Sequence, residues 1–286
     1  MKRILFSLII GFTGRSECLK QLFKSLEEQQ LKDFEVILID QTLGTQLDEV
    51  ISVYRDCFAI KKINAYPARG VSIARNVGLL HADGEWCAFP DDDCIYPADL
   101  LKNIKTWLNQ HSDYCGLSCI VTDCNNKFSA GGYMSRRQMD IGKHNVWRTV
   151  VSPSLFLKTD VVLGIKGFDE RLGIGVLTNF GGGEETDLVM RLVETGGKIF
   201  YVPDLTVWHP RYIGNYDNKR ILYGWTCGCG CGAVMKIHQW SYLKSFYFAS
   251  LLFLRAFQQL MLLRLRRAVY HFAMGFGRLY GRVAFK

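Results

Sequence analysis

Residues 84–97 read GEWCAFPDDDCIYP: a short apolar run, three consecutive aspartates, then a proline ahead of a helix-like segment. Bounded by Gly84 and Pro90 and filled with aromatic and apolar side chains, 85–90 predicts a buried strand, with Asp91, Asp92 and Asp93 leaving its C-terminal end. In open α/β sheets ligands gather at that end, and adjacent carboxylates repel strongly enough that three together call for a cation or ordered donors. Mg²⁺ or Mn²⁺ fits best, since both take oxygen ligands and keep part of their shell for phosphate or water. A solvated acidic turn capping the next helix is the competing reading, and Asp93 alone would serve it.

Upstream, 4–10 (ILFSLII) and 35–40 (EVILID) are strand-like, and between them Cys18, Leu19, Leu22, Phe23 and Leu26 recur at helical spacing over 16–30. This is a βαβ unit, which implies a parallel sheet. Helices are expected over 71–81, 99–110 and 184–194, and strands over 154–159 and 198–202. Gly181-Gly182-Gly183 predicts a flexible loop opening onto the 184–194 helix. The stretch 111–150, with Gly131-Gly132 and a basic, aromatic run, reads as an irregular substrate-side loop. The expected class is α/β, a mostly parallel sheet flanked by helices.

The chain has 286 residues, more than a usual single domain, and its charge suggests where it divides. No acid follows Asp217, whereas 11 of the 35 Lys and Arg do, which leaves residues 1–217 with 24 basic against 27 acidic side chains. The expected domains are therefore a mildly acidic catalytic body, 1–217, and a basic, apolar, helical tail, 218–286. By charge the tail calls for an anionic partner, a membrane leaflet or nucleic acid. Its apolar content favours the membrane, and no nucleic-acid partner is expected. Within it, 246–263 (FYFASLLFLRAFQQLMLL) approaches a span in length, but Arg255, Gln258 and Gln259 interrupt its centre, and a central Arg costs roughly 2.5–3.5 kcal/mol on insertion scales. At about 100° per residue, Lys244, Arg255, Gln259 and Arg266 share one stripe of an otherwise apolar helix. That pattern predicts a basic amphipathic helix lying in the interface, peripheral on the inner, cytoplasmic face of the membrane. A packing helix of a domain or dimer interface is the alternative, which leaves a homo-oligomer open.

Ten cysteines accompany no expected signal peptide, because Gly11 ends the apolar run of MKRILFSLIIGF early and no small-residue cleavage site follows. Reduced, cytoplasmic cysteines are expected. Cys115, Cys119 and Cys124 form one cluster; in the other, Cys227-Gly-Cys229-Gly-Cys231, the spacing departs from the paired CxxC of structural zinc and also suits tight packing of small residues.

From about Ile4 to Pro210 the chain resembles family 2 glycosyltransferases of the GT-A, Rossmann-like fold, particularly bacterial rhamnosyl- and galactosyltransferases of polysaccharide assembly. Seven elements carry the resemblance in order: SLIIGFTGR, EVILID, ARGVSIARNVGL, FPDDDC, GIKGFDERLG, GGGEETDLVMRL and VPDLTVWHP. The resemblance implies that Asp40 meets the nucleotide base, that Asp91 and Asp92 approach the ribose, and that Asp93 ligates the metal on the diphosphate, with Asp91 and His209 as further ligands. Arg75, in the ARN element, touches donor phosphates or braces the acidic site, and Thr13 of the first loop joins the donor-binding set. Glu184 and Glu185 form a second carboxylate pair. In an inverting transfer a base removes the acceptor hydroxyl's proton, and the second acid of the family's Glu-Asp pair has that role, so here it falls to Glu185. Asp187 then orients the acceptor or caps the loop. All three acids also suit a helix N-terminus electrostatically. Trp147, Trp208 and Tyr133 offer aromatic faces for stacking on sugars.

The chain departs from the family pattern where Pro-Thr-Tyr-Asn becomes Gly11-Phe12-Thr13-Gly14, where Asp-Asp-Gly-Ser becomes Asp40-Gln41-Thr42-Leu43, and where Cys94 replaces a further acid. The implied function is an inverting, metal-dependent transferase that moves a sugar from a UDP- or dTDP-sugar to a glycan or lipid-linked glycan in cell-surface polysaccharide synthesis. A sugar-nucleotide pyrophosphorylase uses a related sheet but opens with a Gly-rich basic loop for a triphosphate, of which GFTGRSE is a poor example. A non-catalytic basic membrane- or polyanion-binding protein is the non-enzymatic alternative.

Overall fold

The computed structural model describes residues 4–125, 134–212 and 214–286, so Gly131, Gly132 and Tyr133 lie outside the described residues. The chain groups into two compact units, one of residues 1–68, 73–167 and 188–211, the other of residues 69–72, 168–187 and 212–286.

The first unit holds the sheet. Its elements in chain order are β1 (Phe6–Phe12), α1 (Ser16–Glu27), β2 (Phe34–Asp40), α2 (Gln46–Tyr54), β3 (Ala59–Asn64), α3 (Val71–Leu79), β4 (Trp86–Ala88), α4 (Leu100–Gln110), β5 (Gly116–Thr122), β6 (Met139–Asp140), β7 (Leu155–Lys158), α5 (Thr159–Gly164), α6 (Glu184–Glu194) and β8 (Ile199–Trp208); α3 and α6 start in the second unit. Eight strands run in the order β3-β2-β1-β4-β7-β5-β8-β6. The pairs β3/β2, β2/β1, β1/β4 and β5/β8 are parallel, and β4/β7, β7/β5 and β6/β8 antiparallel, giving the expected mostly parallel sheet. Every residue of β2 is buried, Glu35 included. That charge is paired through Oε2 with Lys61 Nζ at 2.7 Å, and its Oε1 accepts hydrogen bonds from Ser7 Oγ at 2.6 Å and Asp83 N at 2.8 Å, the kind of pairing that a buried carboxylate requires.

Three differences from the sequence reading matter for the site. The strand expected over 85–90 pairs only at Trp86–Ala88. Pro90 has no N–H for a ladder, so the chain leaves the sheet before the aspartates. The stretch 111–150, read as irregular, contains β5, all seven residues of which are buried. The strand expected to end at residue 202 runs on to Trp208: its register against β5 jumps between Cys119 and Ile120, from Val202 to Thr206, which lets Pro203 pass without breaking the strand.

In the second unit, the helix expected over 246–263 forms and has two neighbours. Three helices of 20 residues each form there, α7 (Asn218–Ile237), α8 (Tyr242–Met261) and α9 (Leu265–Ala284). Asp217 caps α7 by accepting from Arg220 N at 2.8 Å, and Ser241 caps α8 by accepting from Lys244 N at 3.2 Å. Leu263, at φ 55°, breaks the chain between α8 and α9, so Arg266 leaves the stripe that holds Lys244, Arg255 and Gln259. Helices α7 and α9 run parallel in near backbone contact. Gly224 faces the Tyr270 ring, Gly228 the Met274 carbonyl and Gly232 the Arg278 carbonyl, while Gly277 and Gly281 return the fit against Trp225 and Cys229. None of these positions has room for a Cβ. Gly230 points the other way, onto the backbone of Gly182, which explains why Cys and Gly alternate through 227–231: backbone approaches on two faces of one helix need small residues on both. Helix α9 packs on α8 as well as on α7.

Candidate active site

At the carboxyl end of β4, Asp91 to Cys94 form a turn closed by Cys94 N donating to Asp91 O at 3.1 Å. Opposite them, Ile95 and Trp208 exchange backbone hydrogen bonds of 2.8 and 3.0 Å, and His209 N donates to Thr122 O at 2.8 Å. The extended β8 therefore pins His209 beside the aspartates, 116 residues beyond Asp93 in sequence. Its Nε2 lies 3.1 Å from Asp93 Oδ1 and 3.7 Å from Asp91 Oδ2. One ligand atom from each of Asp91, Asp93 and His209 falls within 4.8 Å of the other two.

The chemistry of that group fits a divalent cation. Asp93 Oδ1 is shut off from solvent and makes no aligned hydrogen bond, which leaves an acceptor pointed into the cluster. Two carboxylates and an imidazole suit Mn²⁺ well, and Mg²⁺ through its oxygen ligands. Arg15, from the loop before α1, supplies the countercharge around the same turn. Its Nη1 donates to Asp93 Oδ2 at 2.8 Å, its Nε to Asp92 Oδ2 at 3.0 Å, and its Nη2 to Asp92 Oδ1.

Protonation follows the same crowding. Burial pushes Asp92 up to about 6 despite Arg15. Burial also pushes Asp93 upward, but His209 and Arg15 together outweigh it and hold the group down at about 2. For His209 burial works to lower the pKa, and Asp93 and Asp91 reverse it, raising the imidazole above its ordinary value. Three adjacent carboxylates thus share cationic donors unequally, the expected response of like charges held together.

The other residues of the sequence reading sit as follows. Arg75 is buried and its Nη2 reaches Asp91 Oδ1 at 3.2 Å, a bracing contact. Asp40 is buried at the end of β2, where its Oδ1 accepts from Thr42 N at 3.0 Å and Thr42 Oγ1 at 2.7 Å, and its Oδ2 lies 3.4 Å from Lys62 Nζ. Thr13 is exposed in the loop between β1 and α1. Trp147 and Trp208 are half-buried.

In the second unit, Gly181-Gly182-Gly183 leads into the first turn of α6. Gly183 takes φ 86°, a value that favours glycine, and the added Cβ would meet Val234 at 2.9 Å. The turn presents Glu184 and Asp187 as buried side chains and Glu185 as a half-buried one, so of the three acids Glu185 has the most access to solvent. Asp187 is fixed from α7: its Oδ1 lies 3.1 Å from His238 Nε2, both side chains 1% exposed.

Arg15, Lys62 and His238 escaped the sequence reading. Arg15 was visible, a lone cation in the loop after the first strand. His238 carried no local signal, since only the fold of α7 brings it to Asp187, 51 residues away.

Two comparisons of structure share this fold. The structure of Staphylococcus aureus TarS 1–349 in complex with UDP-GlcNAc matches with a TM-score of 0.63 at 14% identity, covering 98% of this chain and 92% of that one. The mannosyltransferase PcManGT from Pyrobaculum calidifontis, in complex with GDP-Man and Mn²⁺, matches with a TM-score of 0.64 at 15% identity, covering 96% of this chain and 87% of that one. In sequence, the cholesterol galactosyltransferase of Borreliella burgdorferi is 34% identical over 96 residues, 34% of this chain; the match spans about a quarter (27%) of that protein's length. The family model for glycosyl transferase family 2 matches residues 7–157, from β1 through β5 to the end of β7. With just over half of its 286 residues matched, and with a GT-A-type α/β sheet carrying an acidic turn at the end of β4, the chain belongs to glycosyl transferase family 2.

Proposed function

We propose that this chain is an inverting, metal-dependent hexosyltransferase, which moves a sugar from a UDP- or dTDP-sugar to a glycan or lipid-linked glycan in cell-surface polysaccharide synthesis. The observation that carries the reading is the meeting of Asp91, Asp93 and His209 within 4.8 Å at the end of β4, the place where open α/β sheets take their ligands. Asp91, Asp93 and His209 would hold Mn²⁺ or Mg²⁺, and the bound ion would neutralise charge developing on the departing nucleotide diphosphate. Asp92 accepts ribose hydroxyl hydrogen bonds once Arg15 turns toward the diphosphate, for which its guanidinium fork is suited. Arg75 keeps Asp91 in place. Asp40, at the end of β2, with β1 between it and β4 in the sheet, meets the base.

In the second unit Glu185 removes the acceptor hydroxyl's proton as that oxygen attacks the anomeric carbon. Its half-buried position gives it the access that Glu184 and Asp187 lack. Glu184 and Asp187 then shape the turn, with Asp187 held by His238. Support comes from the fold neighbours, one solved with UDP-GlcNAc and one with GDP-Man and Mn²⁺.

The test is nucleotide release from a panel of nucleotide sugars, with Mn²⁺ and with excess EDTA, followed by NMR of the product's anomeric centre. Mn²⁺-dependent release from one donor, with inversion, is expected. Full turnover in EDTA would remove the metal, and a retained anomeric configuration would remove the single-displacement mechanism.

A further inference from the structure

Helix α8 is turned inside out. It buries Ser245, Ala249, Leu252 and Ala256, mostly small side chains, and presents Leu243, Phe246, Tyr247, Leu254, Phe257 and Met261 outward. Those six recur at the three- and four-residue spacing of one helical stripe, the reverse of what a helix facing water does with its large apolar side chains. Helix α9 repeats the pattern with Leu265, Val269, Phe276 and Val283 exposed. The two stripes are continuous: Phe253 meets Phe276 at 4.9 Å between ring centroids, and Phe257 meets Phe272 at 5.4 Å. At the elbow between the helices Met261 and Leu263 are 85% and 86% exposed, the most solvent-open apolar side chains after residue 211 among the described residues.

Such a face needs a covering, and the charge around it selects one. No acid occurs after Asp217, and Arg255, Arg264, Arg266 and Arg267 are all exposed at or beside the elbow. Among the described residues no helix is long and apolar enough to cross a membrane, so the face can lie on a bilayer and does not span one. We propose that the outward stripes of α8 and α9, with the Met261–Leu265 elbow at their junction, seat in the headgroup region of an anionic phospholipid bilayer, with the arginines on lipid phosphates. This goes beyond the transferase reading and does not depend on it.

The experiment is flotation of the full chain with vesicles of pure phosphatidylcholine and with vesicles containing about a third phosphatidylglycerol. Tighter binding to the anionic vesicles is expected, by roughly fivefold for each arginine engaged. Arg255→Gln with Arg264→Gln should cut that preference by roughly 25-fold, Arg266 and Arg267 keeping the rest, and leave residual binding. Met261→Asp with Leu263→Asp should weaken binding to both vesicles at least tenfold with an unchanged melting temperature, because both side chains are exposed in the free protein. As a readout that tolerates any loss of affinity, Leu263→Trp should be quenched by brominated lipid, while Leu222→Trp, exposed on α7, should not. Failure of the full chain to bind either vesicle, or binding of M261D/L263D at the parent level, overturns the proposal. So does a dimer that light scattering shows dissociating in M261D/L263D, since the face would then cover a second copy of the chain.

Discussion

Helices α1 and α8 have the same periodicity and opposite manners. In the first unit, α1 buries Leu19, Leu22, Phe23 and Leu26 and leaves Glu17, Lys20 and Lys24 in water; in the second, α8 buries its small residues and offers its large ones outward. Spacing alone shows that a helix has an apolar stripe. Which side of the helix faces protein is decided by the neighbour, and in the second unit the neighbour is α9, whose Gly275 lies against the Phe253 ring and leaves space only for close approach. The body is organised by volume filled, the tail by volume left out.

The largest expected effects set one acidic cluster against the other. Glu185→Gln keeps shape and loses a base, and should lower turnover by about 10²–10⁴ while donor affinity holds. Asp93→Asn should fail differently, losing Mn²⁺-dependent donor binding along with turnover. Isothermal titration with UDP- and dTDP-sugars separates them, and a Glu185→Gln enzyme that binds donor poorly would erase the distinction between the two units.

Next in size is the contrast between α1 and α8. Leu22→Ala should cost about 2–5 kcal/mol by leaving a cavity in the body. Leu254→Ala, in the same chemistry on an exposed stripe, should stay within about 0.5 kcal/mol in detergent-free buffer. Urea melts followed by circular dichroism measure both. A large loss from Leu254→Ala would mean that α8 faces protein.

Glycines give a smaller contrast. Gly228→Ala puts a methyl group against the Met274 carbonyl and should cost about 1–3 kcal/mol, whereas Gly142→Ala, in the body, enters open space and should leave the melt where it was. Equal melts for the two would show that α7 and α9 are less tightly joined than their backbones indicate.

The smallest effect is in pH. His271, on α9, is pushed down by burial and by Arg255 and Arg267. A folded-state pKa below the unfolded value means that the folded protein resists protonation, so stability is intact above about pH 6.5 and declines as pH falls through that value. His271→Gln should therefore lose less melting temperature than the parent between about pH 7.5 and 5.5. A parallel decline in both would sever the link.

Much of this molecule was legible in its sequence, and the illegible parts share a cause. Helix α6 was readable to its end residues, because glycines precede it and acids fill its first turn. The acidic turn was readable too, since Pro90 marks the strand's end and three aspartates follow it. His209 was readable only by resemblance, because its place depends on β8 continuing past Pro203 through a register jump that no local pattern announces. Strand β5 was missed because 111–150 was read by its glycines and its basic, aromatic run, when every residue of GLSCIVT is core. Edge strand β3, with no residue fully buried, lacked the apolar run that marks its neighbour β2. Arg266 was read onto the stripe of the helix before it because Leu263 breaks the chain by conformation and not by composition.

The layering of the second unit sets a distance. The glycine loop before the acidic turn packs on α7, α7 on α9, and α9 on α8, so two helix-to-helix steps separate that loop from α8. At up to about 8–10 Å per packed pair, and less where glycines let backbones close in, that is at most about 20 Å to the axis of α8 and about 10 Å to that of α9. With the α8 and α9 stripes both resting on a leaflet, α7 alone lies between that leaflet and the glycine loop, and Glu185 would work just above the lipid headgroups and not among them. An acceptor anchored in that leaflet would then have to bring its hydroxyl up by the same height, and the helical stack would act as a ruler, passing over short lipid-linked sugars and accepting those whose chains have already grown to reach it.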